Sequence, residues 1–396
     1  MNTMSRVVSL LVVLAAAAGC GGGGSGGSAP SAAPLNPLYV IGGSSNCNDS
    51  NSGSANAPLC TVSRAAHIAR TGYTIIVGPG TYRESVTTDR PGQQVPQGIA
   101  FYADTKGTVT GGRAGDVVIA PPAGQAGFNI SNTGMDGNGN RPIIDGFTVQ
   151  GATDAGIVIK GGDSFIVQSC VVTGTNGDGI RIQSTMDAVV FNNLVYGNSG
   201  GGVLIVQGAP RAQVLSNTIT RNDGRGITVG NTTLAAPTST IANNIIQSNG
   251  SDSSIKIFPP GDLDYSRGVN LVLPGTYIPP SIEGQHDIHA DAVFVDPLHG
   301  IFTLVATSPA VDQGQKLDMV MTRDPTVVFD PTPGFAGGEI PCFEQALIPR
   351  NNQSVCEVTL TAYLNDRTTT GGNACDQRAL DLGFHALPAT RCTGAS

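Results

Sequence analysis

The chain has 396 residues, among them 54 glycines, 25 prolines and no tryptophan, and carries a formal charge of −8. Forty per cent hydrophobic residues is enough to bury a core, which excludes wholesale disorder. A diffuse negative balance with no basic stripe excludes nucleic acid as a partner, and an acidic polysaccharide would need a local basic site or a bound cation.

At the N-terminus Arg6 precedes an apolar run, Val7 to Ala18. The run is too short to remain in a bilayer as a helix and has the length of a signal-peptide core. Ala17-Ala18-Gly19-Cys20 resembles the end of a bacterial lipoprotein signal, although Ala17 stands where leucine is usual. That resemblance implies cleavage after residue 19, a lipid on Cys20 and a membrane as partner through the anchor. The alternative is ordinary secretion with cleavage among the alanines. Gly21 stands where enteric-type lipoproteins retained in the inner membrane carry Asp, so the resemblance implies the outer membrane or cell surface. Residues 20–36 read as a Gly/Ser-rich tether, since such sequence buries too little surface to fold.

Seven further cysteines fit an exported chain. The short separations suggest bridges Cys47–Cys60, Cys342–Cys356 and Cys375–Cys392, a connectivity that spacing alone leaves open. No C-x-x-C pair suggests zinc. Val62 to Arg70 is then expected as a short amphipathic helix with Val62, Ala65, Ala66 and Ala69 on one face. Strand-like segments follow at Thr74–Val77, Ile99–Phe101, Val117–Ile119 and Ile143–Phe147.

From residue 149 the chain is periodic. Gly-Ile-Val-Ile at 156–159, Gly-Ile-Arg-Ile at 179–182, Gly-Val-Leu-Ile at 202–205 and Gly-Ile-Thr-Val at 226–229 recur every 23 or 24 residues. A second column is Val149, Val172, Val195, Ile219 and Ile246, and a third is read as Ile166, Val190, Val214 and Ile241. Three short strands per turn, punctuated by Gly, Asn and Asp, describe one coil of a parallel β-helix, an all-β solenoid in which stacking alone buries each inner face. Alternation places both isoleucines of Gly-Ile-Arg-Ile inside and Arg181 outside. Asn193, Asn217 and Asn244 are expected to form an internal ladder, with Cys170 as a buried filler in the same register.

Ala57-Pro58-Leu59-Cys60-Thr61-Val62 and Thr74 to Glu84 (TIIVGPGTYRE) resemble the capping helix entry and first coil of the pectate-lyase-like right-handed β-helix superfamily. Phe294-Val295-Asp296-Pro297, Ser308 to Asp312 (SPAVD) and Arg378 to Gly383 (RALDLG) resemble the closing segment of β-helical bacterial surface proteins. The resemblance implies a single-stranded right-handed β-helix with an N-terminal capping helix over 37–285. An irregular, disulfide-containing closing segment would follow over 286–396, with a 313–377 insertion of no assigned role.

Two functions compete. The first is a tethered, monomeric cell-surface module that binds polysaccharide or serves as a structural or adhesive rod. The alternative is a polysaccharide lyase that removes the proton α to a uronate carboxylate, which needs a base and a positive charge on that carboxylate. Its candidate residues are Lys160 and Arg181, outward on adjacent coils of the Gly-Ile-x-Ile column, with Asp178 and Asp223 in the turns before. No resident cofactor or metal is expected, Ca²⁺ being the ion a lyase would recruit. Asp136 to Phe147 lacks the Gly and Glu of a calcium loop and reads as a turn. Asp49 to Gly53 reads as a disulfide-closed loop, and His286 and His289 as a turn before a strand.

Overall fold

A computed structural model describes residues 36–206, 208–230, 239–250, 254–258, 266–284 and 286–314, with short stretches at 317–320, 326–329, 358–359 and 382–383. Cys20, Cys342, Cys356, Cys375 and Cys392, the signal segment and most of the tether lie outside the described residues.

Among the described residues the chain winds through three parallel sheets of nine, eight and eight strands. One coil shows the pattern: Ile166–Gln168 in the first sheet, Val171–Thr173 in the second and Ile180–Gln183 in the third. Each strand pairs with its equivalent one coil on. Ile157 pairs with Ile180, Ile180 with Val203, Val203 with Ile227 and Ile227 with Ile255. All five are at most 1% exposed, so the Gly-Ile-x-Ile column is one wall of the interior. Val149, Val172, Val195, Ile219 and Ile246 form the second wall as expected.

The third wall corrects the reading by one residue. Val190 pairs with Val167, not Ile166, and Ile166 pairs with Val189 on the outer face. These strands are buried on both faces, so hydrophobicity does not mark which side is inside.

Two kinds of corner hold the coils together. Between the first and second sheets the chain turns through one left-handed residue per coil, Ser169, Asn192, Ser216 and Asn243, with φ between 50° and 58°. The next residue forms the ladder. The backbone N–H groups of Cys170, Asn193, Asn217 and Asn244 donate to the side-chain oxygens of Asn193, Asn217, Asn244 and Asn270, at 2.8–3.1 Å. Cys170 is a buried free thiol, and burial pushes its pKa far up, so it is inert filler. A second ladder lies five residues further on, in the turn before the third sheet. There Thr175, Asn198 and Asn222 donate their N–H groups to Asn198, Asn222 and Asn249.

The N-terminal end is covered by the helix Val62–Ile68, whose Val62, Ala65 and Ala66 are buried against the first coil. Thr61 caps its start, and both oxygens of Glu84 accept from Val62 and Ser63 N–H at 2.8 Å. Arg90 donates to the Ala66 and Ala69 carbonyls at its end. An acid at the N-terminus and a guanidinium at the C-terminus oppose the helix dipole correctly. The Cys47–Cys60 bridge closes the loop just before it.

The three closing motifs converge beside the stack rather than over its end. Phe294–Asp296 and Ile301–Leu304 form an antiparallel hairpin. Its Phe294, Phe302 and Leu304 pack with Leu194, Ile245 and Leu271 of the second sheet's outer face. Ser308 Oγ accepts from Val293 N–H at 3.0 Å, and Leu382 N–H donates to Ala310 O at 2.9 Å. Gly383 N–H then reaches Asn243 O at 2.8 Å, tying that motif to the coils.

Candidate functional site

The outer face of the third sheet carries Lys160 and Arg181, and the turns before its strands carry Asp178 and Asp223. Two rows of outward side chains run along that face. One row is Asn129, Val158, Arg181, Leu204, Thr228 and Lys256; the other is Ser131, Lys160, Gln183 and Val206. Lys160 therefore stands beside Gln183 and diagonal to Arg181, on adjacent coils.

The structure brings Arg181 and Asp178 together and adds a residue that the sequence reading missed. Arg181 Nη1 lies 2.9 Å from Asp154 Oδ1, and its Nε and Nη2 lie 3.1 Å from Asp178 Oδ2. Asp178 Oδ1 also accepts from Gly201 N–H at 3.0 Å, so three successive coils are stapled here. Burial alone would lower the Arg181 pKa, but the Asp154 hydrogen bond and the charge of Asp178 outweigh it and raise it. The signal for Asp154 was an acid in each of two successive turns, Asp154 and Asp178, one coil apart.

Lys160 and Asp223 do not join this group. Both acids of the staple precede their strands, which draws the guanidinium toward the N-terminal edge of the sheet. Lys160 is exposed at the opposite edge, and no ion pair among the described residues reaches it. Asp223 is exposed in a turn two coils beyond Asp178, with its backbone N–H on Asn198 O and no ion pair among the described residues. Further along, Lys256 Nζ lies 4.5 Å from the ring centre of the half-buried Phe258, a cation–π pair that the reading also missed.

Chemically, Arg181 is a poor base and a poor neutraliser. A guanidinium in water already resists deprotonation, and two carboxylates hold the proton tighter. An approaching uronate would meet one positive and two negative groups. Among the described residues no group of three or more acids, histidines or cysteines could hold a metal ion. Asp136 is occupied by the Asn138 and Asn140 backbone N–H groups and the Asn140 amide, as expected of a turn. Asp49 accepts from Cys60 and Thr61.

If Arg181 is a staple, Arg181→Met should lower stability by about 1 kcal/mol, because two like charges then face each other across one coil step. Denaturant midpoints report it, and the loss should shrink in high salt.

The coils match the family model described as a right-handed β-helix region over residues 126–259. This is a right-handed parallel β-helix. No curated protein matches the sequence. Among solved structures the β-helix is similar to the pectate lyase Pel9A at 14% identity, over 72% of this chain and 92% of that one, with a TM-score of 0.42. It is similar to the periplasmic alginate epimerase AlgG at 13% identity, over 50% of this chain and 51% of that one, with a TM-score of 0.35. This chain thus spans about half the length of the epimerase. XylC in complex with xylose aligns at 9% identity, over 65% of this chain and 87% of that one, with a TM-score of 0.35. These values assign no chemistry to the β-helix.

Proposed function

We propose that the chain is an exported, surface-tethered rod whose third-sheet face binds an extended polysaccharide without cleaving it. The observation that carries this reading is the Asp154–Arg181–Asp178 staple, which takes Arg181 out of the base and neutraliser pair that an elimination would need and leaves Lys160 without that partner. What remains along the face is a binding inventory. Asn129, Ser131, Gln183 and Thr228 offer hydrogen bonds, Lys160 and Lys256 offer positive charge, and the half-buried Leu204 offers an apolar step for the C–H face of a sugar. The coil repeat of about 4.8 Å is close to the length of one sugar ring in an extended chain, so successive rings would meet successive coils.

Affinity electrophoresis in gels carrying neutral and uronate polymers tests the proposal. Retention on at least one polymer is expected, weakened severalfold by Lys160→Ala and spared by Arg181→Met. Ultraviolet absorbance of the unsaturated uronate product tests the lyase alternative in the same samples, with Ca²⁺ added. Product that accumulates with wild type and disappears in Lys160→Ala would replace the binding reading with the lyase.

The address is part of the same proposal. A lipid on Cys20 and the tether behind it would hold the rod at the outer membrane. Cys20→Ala should then move the exported chain from the membrane to the soluble fraction, and an unchanged distribution would remove the anchor.

A further inference from the structure

The far end of the stack has its own cover. The last third-sheet strand is Tyr277–Ile278, and residues 279–284 and 286–289 fold back over the coil it closes. Ile282, at the end of the 3-10 turn Pro280–Ile282, is buried with the interior side chains. Ile288 pairs with Leu271 as a parallel bridge. Asp287 takes the last rung of the asparagine ladder: its Oδ1 accepts from Asn270 N–H at 2.9 Å, and its Oδ2 from Tyr277 Oη at 2.8 Å and Gly284 N–H at 3.0 Å.

His289 fastens this cover to the stack. Its Nδ1 lies 3.1 Å from Val272 O, on the last strand of the second sheet, and its Nε2 lies 2.7 Å from Glu283 Oε1. Both partners are acceptors. A neutral imidazole carries one N–H, so one of these contacts would set a lone pair against an oxygen. The imidazolium carries two and satisfies both.

The other groups facing the ring favour the same state. Asp287 adds a second negative charge, and the Tyr277 ring stands edge-on with its centre 6.2 Å away. Gly275 packs so close that a Cβ there would lie 2.5 Å from Nδ1, which fixes the ring in place. His286 is exposed and makes no bond to it. The Glu283 hydrogen bond first, then the Val272 carbonyl, raise the His289 pKa above its ordinary value against the opposing effect of burial.

We propose that the cover over the last coil is a pH-dependent latch closed by protonated His289. The sign follows from linkage. With its pKa raised in the closed form, His289 contributes fully below the ordinary histidine value, and the contribution is lost as pH climbs through the raised value. Above that pH the cover loosens and the edge at Leu271–Leu273 becomes available to another chain.

Hydrogen exchange on the full chain, followed by mass spectrometry between acid and alkaline pH and corrected for intrinsic rates, tests the latch. Protection of peptides covering 271–289 should fall by up to about tenfold per pH unit between the ordinary and the raised histidine value. Peptides from 157–206 should stay flat. Glu283→Gln keeps the ring and removes its carboxylate partner, so the midpoint should move to lower pH. His289→Gln supplies donors that do not titrate, and its profile should be flat. A wild-type profile without pH dependence, a midpoint unmoved in Glu283→Gln, or a pH dependence that survives in His289→Gln would each overturn the proposal.

Discussion

Asn217→Ala should destabilise the coil stack by about 3–5 kcal/mol, the sum of several buried groups left without partners. Asn217 is fully buried and makes bonds in both directions along the axis. Its Oδ1 accepts from the Asn193 backbone N–H at 2.8 Å and from Asn193 Nδ2 at 3.0 Å. Its Nδ2 donates to Val190 O at 2.9 Å, to Leu215 O at 3.0 Å and to Asn244 Oδ1 at 3.0 Å. Alanine strands the N–H of the coil before it and the carbonyl of Val190, in a place no water reaches. Cys170→Ala is the internal comparison. Cys170 stands in the same register, where its sulfur, a weak acceptor, faces the Phe147 and Gly146 backbone N–H groups; its S–H touches Gln168 O at 3.1 Å and Ile144 O more loosely. Its loss should cost about 1 kcal/mol, a methylene-scale cavity and a weak sulfur acceptor rather than a full amide rung. Thermal midpoints would separate the two variants by about 5–10 °C. Equal midpoints would mean that the ladder amides exchange their partners for solvent at little cost.

That ladder was legible because Asn193, Asn217 and Asn244 recur in step with aliphatic columns already placed. The second ladder carried the same signal, Asn198, Asn222 and Asn249 each five residues after a member of the first, and passed as turn composition. Asparagine in a turn looks alike whether its side chain points out to water or in along the axis; only its exact recurrence differs. The slip at Ile166 has another cause. In the second and third sheets one face is wet or partly so, and alternation identifies the interior. In the first sheet Ile166, Val189, Phe191 and Leu215 are buried on the outer face too, so inward and outward residues have the same chemistry. The candidate face was placed correctly, since its rows follow from register alone. What the register could not show was where a long side chain goes. Arg181 leaves the sheet for two acids in the turns, a choice set by Asp154, which sequence places 27 residues away. The cover at 279–284 and 286–289 was illegible for a related reason: it occurs once, and periodicity says nothing about what ends a repeat.

Gly179→Ala should cost about 3 kcal/mol, at the upper end for overpacking a rigid core. The glycine that opens each third-sheet strand is not there for backbone freedom, since Gly179 shows no left-handed φ. It is there because the next coil leaves no room. A Cβ on Gly179 would lie 2.3 Å from Val195 Cγ1, 2.9 Å from Gly202 O and 3.1 Å from Asn198 Nδ2. Val195 is an interior side chain and Asn198 a ladder rung, so neither can swing aside. Gly127, Gly156, Gly202 and Gly226 meet Val149, Val172, Ile219 and Ile246 at 2.2–2.4 Å in the same way. Each inward branched residue of the second sheet thus sits over the glycine of the coil before it. Gly137, with open space around its Cβ position and an unstrained φ, is the control, and Gly137→Ala should be neutral or slightly stabilising. The collision is with one methyl, so it can be relieved. Val195→Ala alone opens a cavity and destabilises, yet combined with Gly179→Ala it should recover at least about 1 kcal/mol relative to the sum of the two single changes. Strict additivity in that cycle would place the cost of Gly179→Ala elsewhere than in the contact between coils, and the glycine column would lose its explanation as the spacing element of the stack.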